Sequence, residues 1–148
     1  MNSGFKNSLT FVGPIALDQA TKFWAFKELA APLEITSFLN FEFALNKGVS
    51  WGFFNNSAGT PIYVKFAIGL AIVFLILNIL NSLRKGRSII PQLFVLSGAL
   101  SNVFDRFLYG GVVDFIVFHF GSWSFPAFNI ADTCIVLGVF WMFLAYEE

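Results

Sequence analysis

From Ala67 to Leu80 the chain reads A-I-G-L-A-I-V-F-L-I-L-N-I-L without a charge, and the apolar run extends outward to Ile62 and Leu83. A segment of that length and character is either a membrane helix or a core helix wrapped on every side by protein. Composition decides between them. Of 148 residues 57% are apolar and 12% charged, with a mean hydropathy of +0.72, against about 45 to 50% apolar for a soluble domain. So small a chain has too little polar surface to face water, and it reads as a membrane protein.

Four segments have the length a bilayer demands: about residues 7–29, 62–83, 89–108 and 129–146. The stretch Leu9–Leu17 has the look of a signal-peptide core, but no small-x-small cleavage site follows and the run continues past Asp18 and Lys22. It is expected to stay as the first membrane helix. Pro14 is tolerated there, and Asn78 and Asn81 share one face of the second helix, where they can bond to a neighbour. No repeat or linker divides residues 1–148, which are expected to form one integral membrane domain.

Arg84, Lys85 and Arg87 crowd the turn between the second and third helices, and Lys6 precedes the first. Clustered basic residues in short loops mark the cytoplasmic side. Both termini should then be cytoplasmic and the two longer connections extracytoplasmic. Lys27, Lys47 and Lys65 run against this, but they are scattered, and Glu147 and Glu148 weigh little. In the first long connection Leu39, Phe41, Phe43 and Leu45 alternate with polar or small residues, Asn46-Lys47-Gly48 supplies a turn, and Val49, Trp51 and Phe53 alternate again. The second connection opens with Gly110-Gly111, is dense in aromatics from Phe115 to Phe128, and has Gly121-Ser122 as a turn. The expected fold is therefore an all-α membrane protein of four transmembrane helices with a small extracytoplasmic β-sheet or hairpin at the membrane surface.

Nine basic and nine acidic residues give no net charge and no case for nucleic acid. One cysteine, Cys134, excludes an internal disulfide and reads as core or lipid-facing; with a single histidine, His119, there are too few ligands for a zinc centre. Neither metal nor cofactor is expected.

The acidic residues carry the functional signal. At about 1.5 Å rise per residue, Lys22 lies roughly 24 Å from Lys6, Asp105 roughly 27 Å from Arg87, and Asp132 roughly 22 Å from Glu147. Asp18, Lys22, Asp105, Arg106 and Asp132 thus fall in one layer toward the outer face, with Asp114 just beyond it. Asp18 and Lys22 are four apart and can pair; adjacent Asp105 and Arg106 should bond different neighbours. Asp114 and Asp132 have no basic residue within four positions. If the third and fourth helices pack at their outer ends, these two carboxyls would share a proton, as in an aspartyl hydrolase. Bland roles compete: Asp18 with Lys22 as a structural pair, Asn46 and Gly48 as turn residues, Asn102 as a helix cross-link, Asn129 as an N-cap with Asp132 closing its first turn. A proton-coupled four-helix transporter and a structural subunit also stay open.

Five blocks settle on a resemblance: D-Q-A-T-K at 18–22, N-K-G-V-S-W-G at 46–52, S-G-A-L-S-N-V-F-D-R at 97–106, G-V-V-D-F at 111–115 and F-N-I-A-D at 128–132. In this order and spacing the chain resembles the lipoprotein signal peptidases, bacterial type II signal peptidases. The resemblance implies an inner-membrane aspartyl endopeptidase with its site facing the periplasm, four membrane helices and a small periplasmic sheet. It implies lipid-modified prolipoproteins as substrates, cut N-terminal to the diacylglyceryl cysteine, contact with membrane phospholipid, sensitivity to the family's cyclic peptide inhibitors, and action as a monomer. The family's catalytic pair falls on Asp114 and Asp132, and its supporting residues on Asp18, Lys22, Asn46, Gly48, Asn102, Asp105, Arg106 and Asn129. Ser97, Ser101 and Trp51 depart from the usual Gly, Gly and Phe. The serines should widen helix spacing slightly, and the tryptophan should bear on substrate preference.

Overall fold

A computed structural model describes residues 2–48 and 61–145. Helix α1 (Ser3–Glu28) starts where the Asn2 side chain accepts the Gly4 amide at 3.2 Å, and it runs on through Pro14. Its buried residues are Asp18, Lys22 and Ala25, which share a face because they stand at i, i+4 and i+7. The helix is inverted relative to a soluble one: its charged pair faces inward, while Phe5, Leu9, Val12 and Leu17 face outward. Such apolar exteriors, repeated on the other helices, belong in lipid and not in water.

After α1 come β1 (Leu33–Thr36), β2 (Leu39–Asn46), α2 (Ile62–Arg84), α3 (Ile90–Tyr109), β3 (Val112–Phe120), β4 (Trp123–Ser124) and α4 (Ile130–Leu144). Among the described residues α2 alone is both long and apolar enough to cross a membrane by composition; α4 is as greasy but has 15 residues. Charges near the C-terminal ends of α1 and α3 explain why those two fall short on composition. The turn after α2 uses Gly86 at φ 66°, and α2 packs on α3 through Leu75, Ile79 and Ile89. Gln92 of α3 donates to Asn78 and to Ser82 at 3.1 Å each, the interhelical bond expected of Asn78.

Helices α3 and α4 touch most closely, at glycines. A Cβ on Gly98 would lie 2.3 Å from the Ala131 carbonyl oxygen and 2.9 Å from Ile135, and one on Gly138 would lie 2.6 Å from Val95. Backbones can approach this far only where side chains are missing. Ser97 and Ser101 sit fully buried on the same helix.

The four strands form an antiparallel sheet in the order β1-β2-β3-β4, with Gly121-Ser122 turning β3 into β4. The strand that precedes β2 and the distant β3 are its partners; the alternating Val49, Trp51 and Phe53 lie outside the described residues, as do Glu147 and Glu148. One expectation needs correction. Alternation puts Phe41, Phe43 and Leu45 on one face, but a bulge between Phe41 and Ala44 changes the parity of β2. Beyond it Leu45 opposes Val113 while Ala44 opposes Asp114 and Asn46 opposes Val112, so Asn46 and Asp114 share a face. Phe115, on the other face of β3, packs with Ala25 of α1 and with Leu29, which caps that helix.

The glycine contact gives a direct test. Gly98→Val should force α3 and α4 apart and cost about 2 kcal/mol or more, read as a lower thermal unfolding midpoint in detergent; an unchanged midpoint would contradict the close crossing.

Candidate active site

The ammonium of Lys22 is the centre of the buried polar layer. Its Nζ lies 2.7 Å from Asp18 Oδ2 and 2.8 Å from Asp105 Oδ2, and it donates to Asn102 Oδ1 at 2.8 Å. Three protons meet three acceptors. Each carboxylate is then held from a second side: Asp18 Oδ1 accepts the Ala131 amide at 2.7 Å and its Oδ2 the Ser101 hydroxyl at 2.7 Å. Asp105 accepts Val113 N at 3.1 Å and Gln19 Nε2 at 2.8 Å. Through these bonds Asp18 ties α1 to the start of α4, and Asp105 ties α3 to the start of β3.

Next to this cluster lie the other two carboxylates. Asp114 follows the residue whose amide Asp105 holds, and Asp132 stands at the third position of α4. Their elements are joined directly, since Phe115 N and Ile116 N both donate to Phe128 O, at 3.0 and 2.9 Å, and Phe128 N returns a bond to Ile116 O. Three asparagines then share the carboxylate oxygens. Asn129 Nδ2 donates to Asp114 Oδ1 at 2.7 Å, Asn46 Nδ2 to Asp114 Oδ2 at 3.1 Å, and Asn102 Nδ2 to Asp132 Oδ1 at 2.8 Å. Asn129 Nδ2 also reaches Asn102 Oδ1 at 3.2 Å, linking the two halves.

Asp132 closes a capping box as well, with Asn129 Oδ1 accepting the Asp132 amide at 2.8 Å and Asp132 Oδ2 accepting the Asn129 amide at 3.3 Å. Capping and membership of the pair are therefore compatible. Arg106 turns from its neighbour Asp105 to other partners, as expected: Nη1 donates to Asn102 O at 3.0 Å and Nη2 to Gly48 O at 3.3 Å. Gly48 in turn donates to Asn46 Oδ1 at 3.0 Å, so the turn reading of Asn46 and Gly48 holds alongside the site reading.

All ten residues singled out from the sequence meet in this network. Two were overlooked. Gln19 donates to Ser101 Oγ at 2.9 Å as well as to Asp105, and lies inside the D-Q-A-T-K block. Ser101 does more than set helix spacing, because its hydroxyl bonds Asp18. Asp114 and Asp132 are also less isolated than their sequence neighbours imply: Lys22 and Arg106 act on both electrostatically. Burial, then the neighbouring charge of Asp132, push the Asp114 carboxyl up to about 7, against the opposing bonds from Asn46 and Asn129.

The pair opens into a cleft of about 310 Å³ with Asn46, Asn102 and Arg106 at its polar end and Phe125, Val136 and Leu137 along its apolar wall. Residues 10–146 match the family described as signal peptidase (SPase) II. The chain belongs to the signal peptidase II family. It is 38% identical over 139 residues to the lipoprotein signal peptidase of Burkholderia vietnamiensis, covering 90% of this chain and 81% of that protein, and 37% identical over the same coverage to that of Burkholderia multivorans. Two bacterial membrane enzymes solved by the in meso method, at 2.3 and 1.9 Å, superpose with TM-scores of 0.75 and 0.73 at 25% identity. The first comparison covers 96% of this chain and 87% of the other, and the second 97% and 93%. This signal peptidase II is thus a membrane-associated aspartic endopeptidase that removes signal peptides from prolipoproteins. The transporter and structural-subunit readings fall away.

Two outcomes follow from the electrostatics. Lys22→Met strands two buried carboxylates and should cost about 3 to 5 kcal/mol, seen as a collapse of the unfolding midpoint or of extractable protein; a wild-type midpoint would contradict the hub. Because the folded-state pKa of Asp114 is raised, the folded protein binds more protons than the unfolded chain between about pH 4 and pH 7. The stability that Asp114 contributes is complete below that window and is lost as pH rises through about 7. Unfolding midpoints measured across the window should therefore fall less steeply for Asp114→Asn than for wild type, and parallel slopes would refute the shift.

Proposed function

We propose that Asp114 and Asp132 are the catalytic pair of this peptidase. The observation that carries the reading is that both carboxylates face one cleft, bonded by neutral asparagine amides, while the nearby ammonium is engaged with Asp18 and Asp105. A carboxyl that titrates near 7 can hold the proton that its ionised partner cannot. One Asp draws a proton from water as it attacks the scissile carbonyl, and the protonated one donates to the developing oxyanion and later to the leaving amine. Asn102 and Asn129 orient the pair, Asn46 steadies Asp114, and Arg106 pins the Gly48 carbonyl at the cleft's polar end. Asp18, Lys22 and Asp105 position these groups without touching the substrate.

The bond cut lies N-terminal to a cysteine carrying a diacylglyceryl group. Its chains anchor in the bilayer at about 0.8 kcal/mol per buried methylene, fixing depth, while the signal peptide runs along Val136 and Leu137 of α4. All four helices cross the bacterial inner membrane, with both termini in the cytoplasm and the sheet and cleft on the periplasmic side. The basic cluster at 84–87 and the outward apolar faces support this topology. Residues 1–148 act as one domain and as a monomer, surrounded by phospholipid, and the cleft is where the family's cyclic peptide inhibitors would bind.

The experiment is a gel-shift assay with purified enzyme and two precursors, one lipid-modified and one not. Wild type should cleave only the modified one, and Asp114→Asn and Asp132→Asn should each lose at least about 10³-fold in rate with the protein still folded. Near-normal turnover by either variant removes that residue from the chemistry.

A further inference from the structure

A second cavity, of about 260 Å³, lies between α2 and α3, away from the carboxylate pair. Its walls are Ile68, Gly69 and Ile72 of α2 with Val103 and Phe107 of α3, and Lys65 and Arg106 line it too. Because the helices are antiparallel, the first turns of α2 and the last turn of α3 meet at one end. Both cations therefore stand at the same end of an otherwise apolar groove. Gly69 makes the space: an added Cβ there has nothing within 4 Å. Arg106 has further capacity, since its Nε is buried and has no hydrogen-bond partner among the described residues.

We propose that this groove seats an anionic glycerophospholipid, with an acyl chain along Ile68, Gly69 and Ile72 and its phosphate between Lys65 and Arg106. Charge selects the occupant. A diacylglyceryl group or a neutral acyl chain would fill the apolar walls but would leave Lys65, which has no ion pair among the described residues, without a counter-charge and the Arg106 Nε without an acceptor. A zwitterionic headgroup brings its own ammonium to the same place, whereas a phosphate with net negative charge complements both. The assignment rests on the chain's being a membrane protein and not on the identity of the catalytic pair. Arg106 borders the catalytic cleft as well, so the bound headgroup would sit one side chain from the reaction.

The test reads the groove directly. The full chain is placed in phosphatidylcholine vesicles containing a trace of phosphatidylglycerol with a photoreactive acyl chain, and labelled peptides are mapped by mass spectrometry. Because the probe competes with the surrounding phosphatidylcholine, a preference of about tenfold for the anionic headgroup should halve labelling within residues 68–72 and 103–107 when about one tenth of the phosphatidylcholine is replaced by unlabelled phosphatidylglycerol. Lys65→Gln should shrink that selectivity to about twofold. Gly69→Leu, whose Cβ would enter open space, should occupy part of the groove and reduce labelling itself several-fold. Labelling in wild type that stays unchanged as phosphatidylglycerol replaces phosphatidylcholine overturns the proposal, as does selectivity untouched by Lys65→Gln or labelling untouched by Gly69→Leu. Since no readout involves proteolysis, a failed catalytic assignment would leave this result standing.

Discussion

The buried polar layer beneath the cleft is arranged around one ammonium. Lys22 is about 2% exposed, and a charge taken that far from water persists only with close partners of opposite sign and every proton bonded. Asp18, Asp105 and Asn102 meet that demand from two helices. Two carboxylates against one ammonium leave an excess negative charge. It falls where backbone donors are free: Asp18 on the Ala131 amide at the start of α4, Asp105 on the Val113 amide at the start of β3. The first turn of a helix offers unpaired N–H groups and the positive end of its dipole, so the arrangement stabilises the charge and docks the two elements that carry Asp114 and Asp132.

The hub sets one of the three asparagines, and backbone amides set the other two. An amide side chain can present either its oxygen or its NH₂, and a carboxylate needs the NH₂. Lys22 claims the Asn102 oxygen, the Asp132 amide claims that of Asn129, and the Gly48 amide claims that of Asn46. Each amide is thereby turned with its donors toward Asp114 or Asp132. No single residue of the three could be replaced by aspartate without removing a donor and adding a charge to an already acidic site.

Much of this was legible in the sequence for a simple reason. In a chain with few charges, each one on an apolar helix is costly and its position along a helix of known rise gives its height, so the layer holding Asp18, Lys22, Asp105, Arg106 and Asp132 follows from counting. The i, i+4 pair of Asp18 and Lys22 and the N-cap at Asn129 are local rules and came through intact. What depended on long-range pairing did not. The β2 bulge that brings Asn46 onto the face of Asp114 leaves no mark in the alternation, and the pairing of β2 with β3 joins residues some seventy positions apart. Ser101 was legible as a small residue, but its bond to Asp18 depends on how α1 and α3 cross. Gln19 went unnoticed because a lone glutamine carries no charge to draw the eye.

The four buried carboxylates are chemically identical, yet the fold divides them. Asp18 and Asp105 each receive the ammonium together with a backbone amide, and so bind elements together. Asp114 and Asp132 are bonded by neutral amides, those of asparagine side chains and, for Asp132, also the Asn129 backbone, which orient a carboxyl without supplying it with a full opposite charge, and the cations that reach them do so only at a distance. Neutral donors hold geometry while leaving the proton affinity of Asp114 high enough to matter near neutral pH. On the proposed mechanism, moving the ammonium one layer toward the cleft would stabilise the pair as two anions and remove the acid that the hydrolysis step needs. The reactivity of the site therefore depends on where Lys22 is kept as much as on where Asp114 and Asp132 are placed, and the three-way contact with Asp18, Asp105 and Asn102 is what keeps it there.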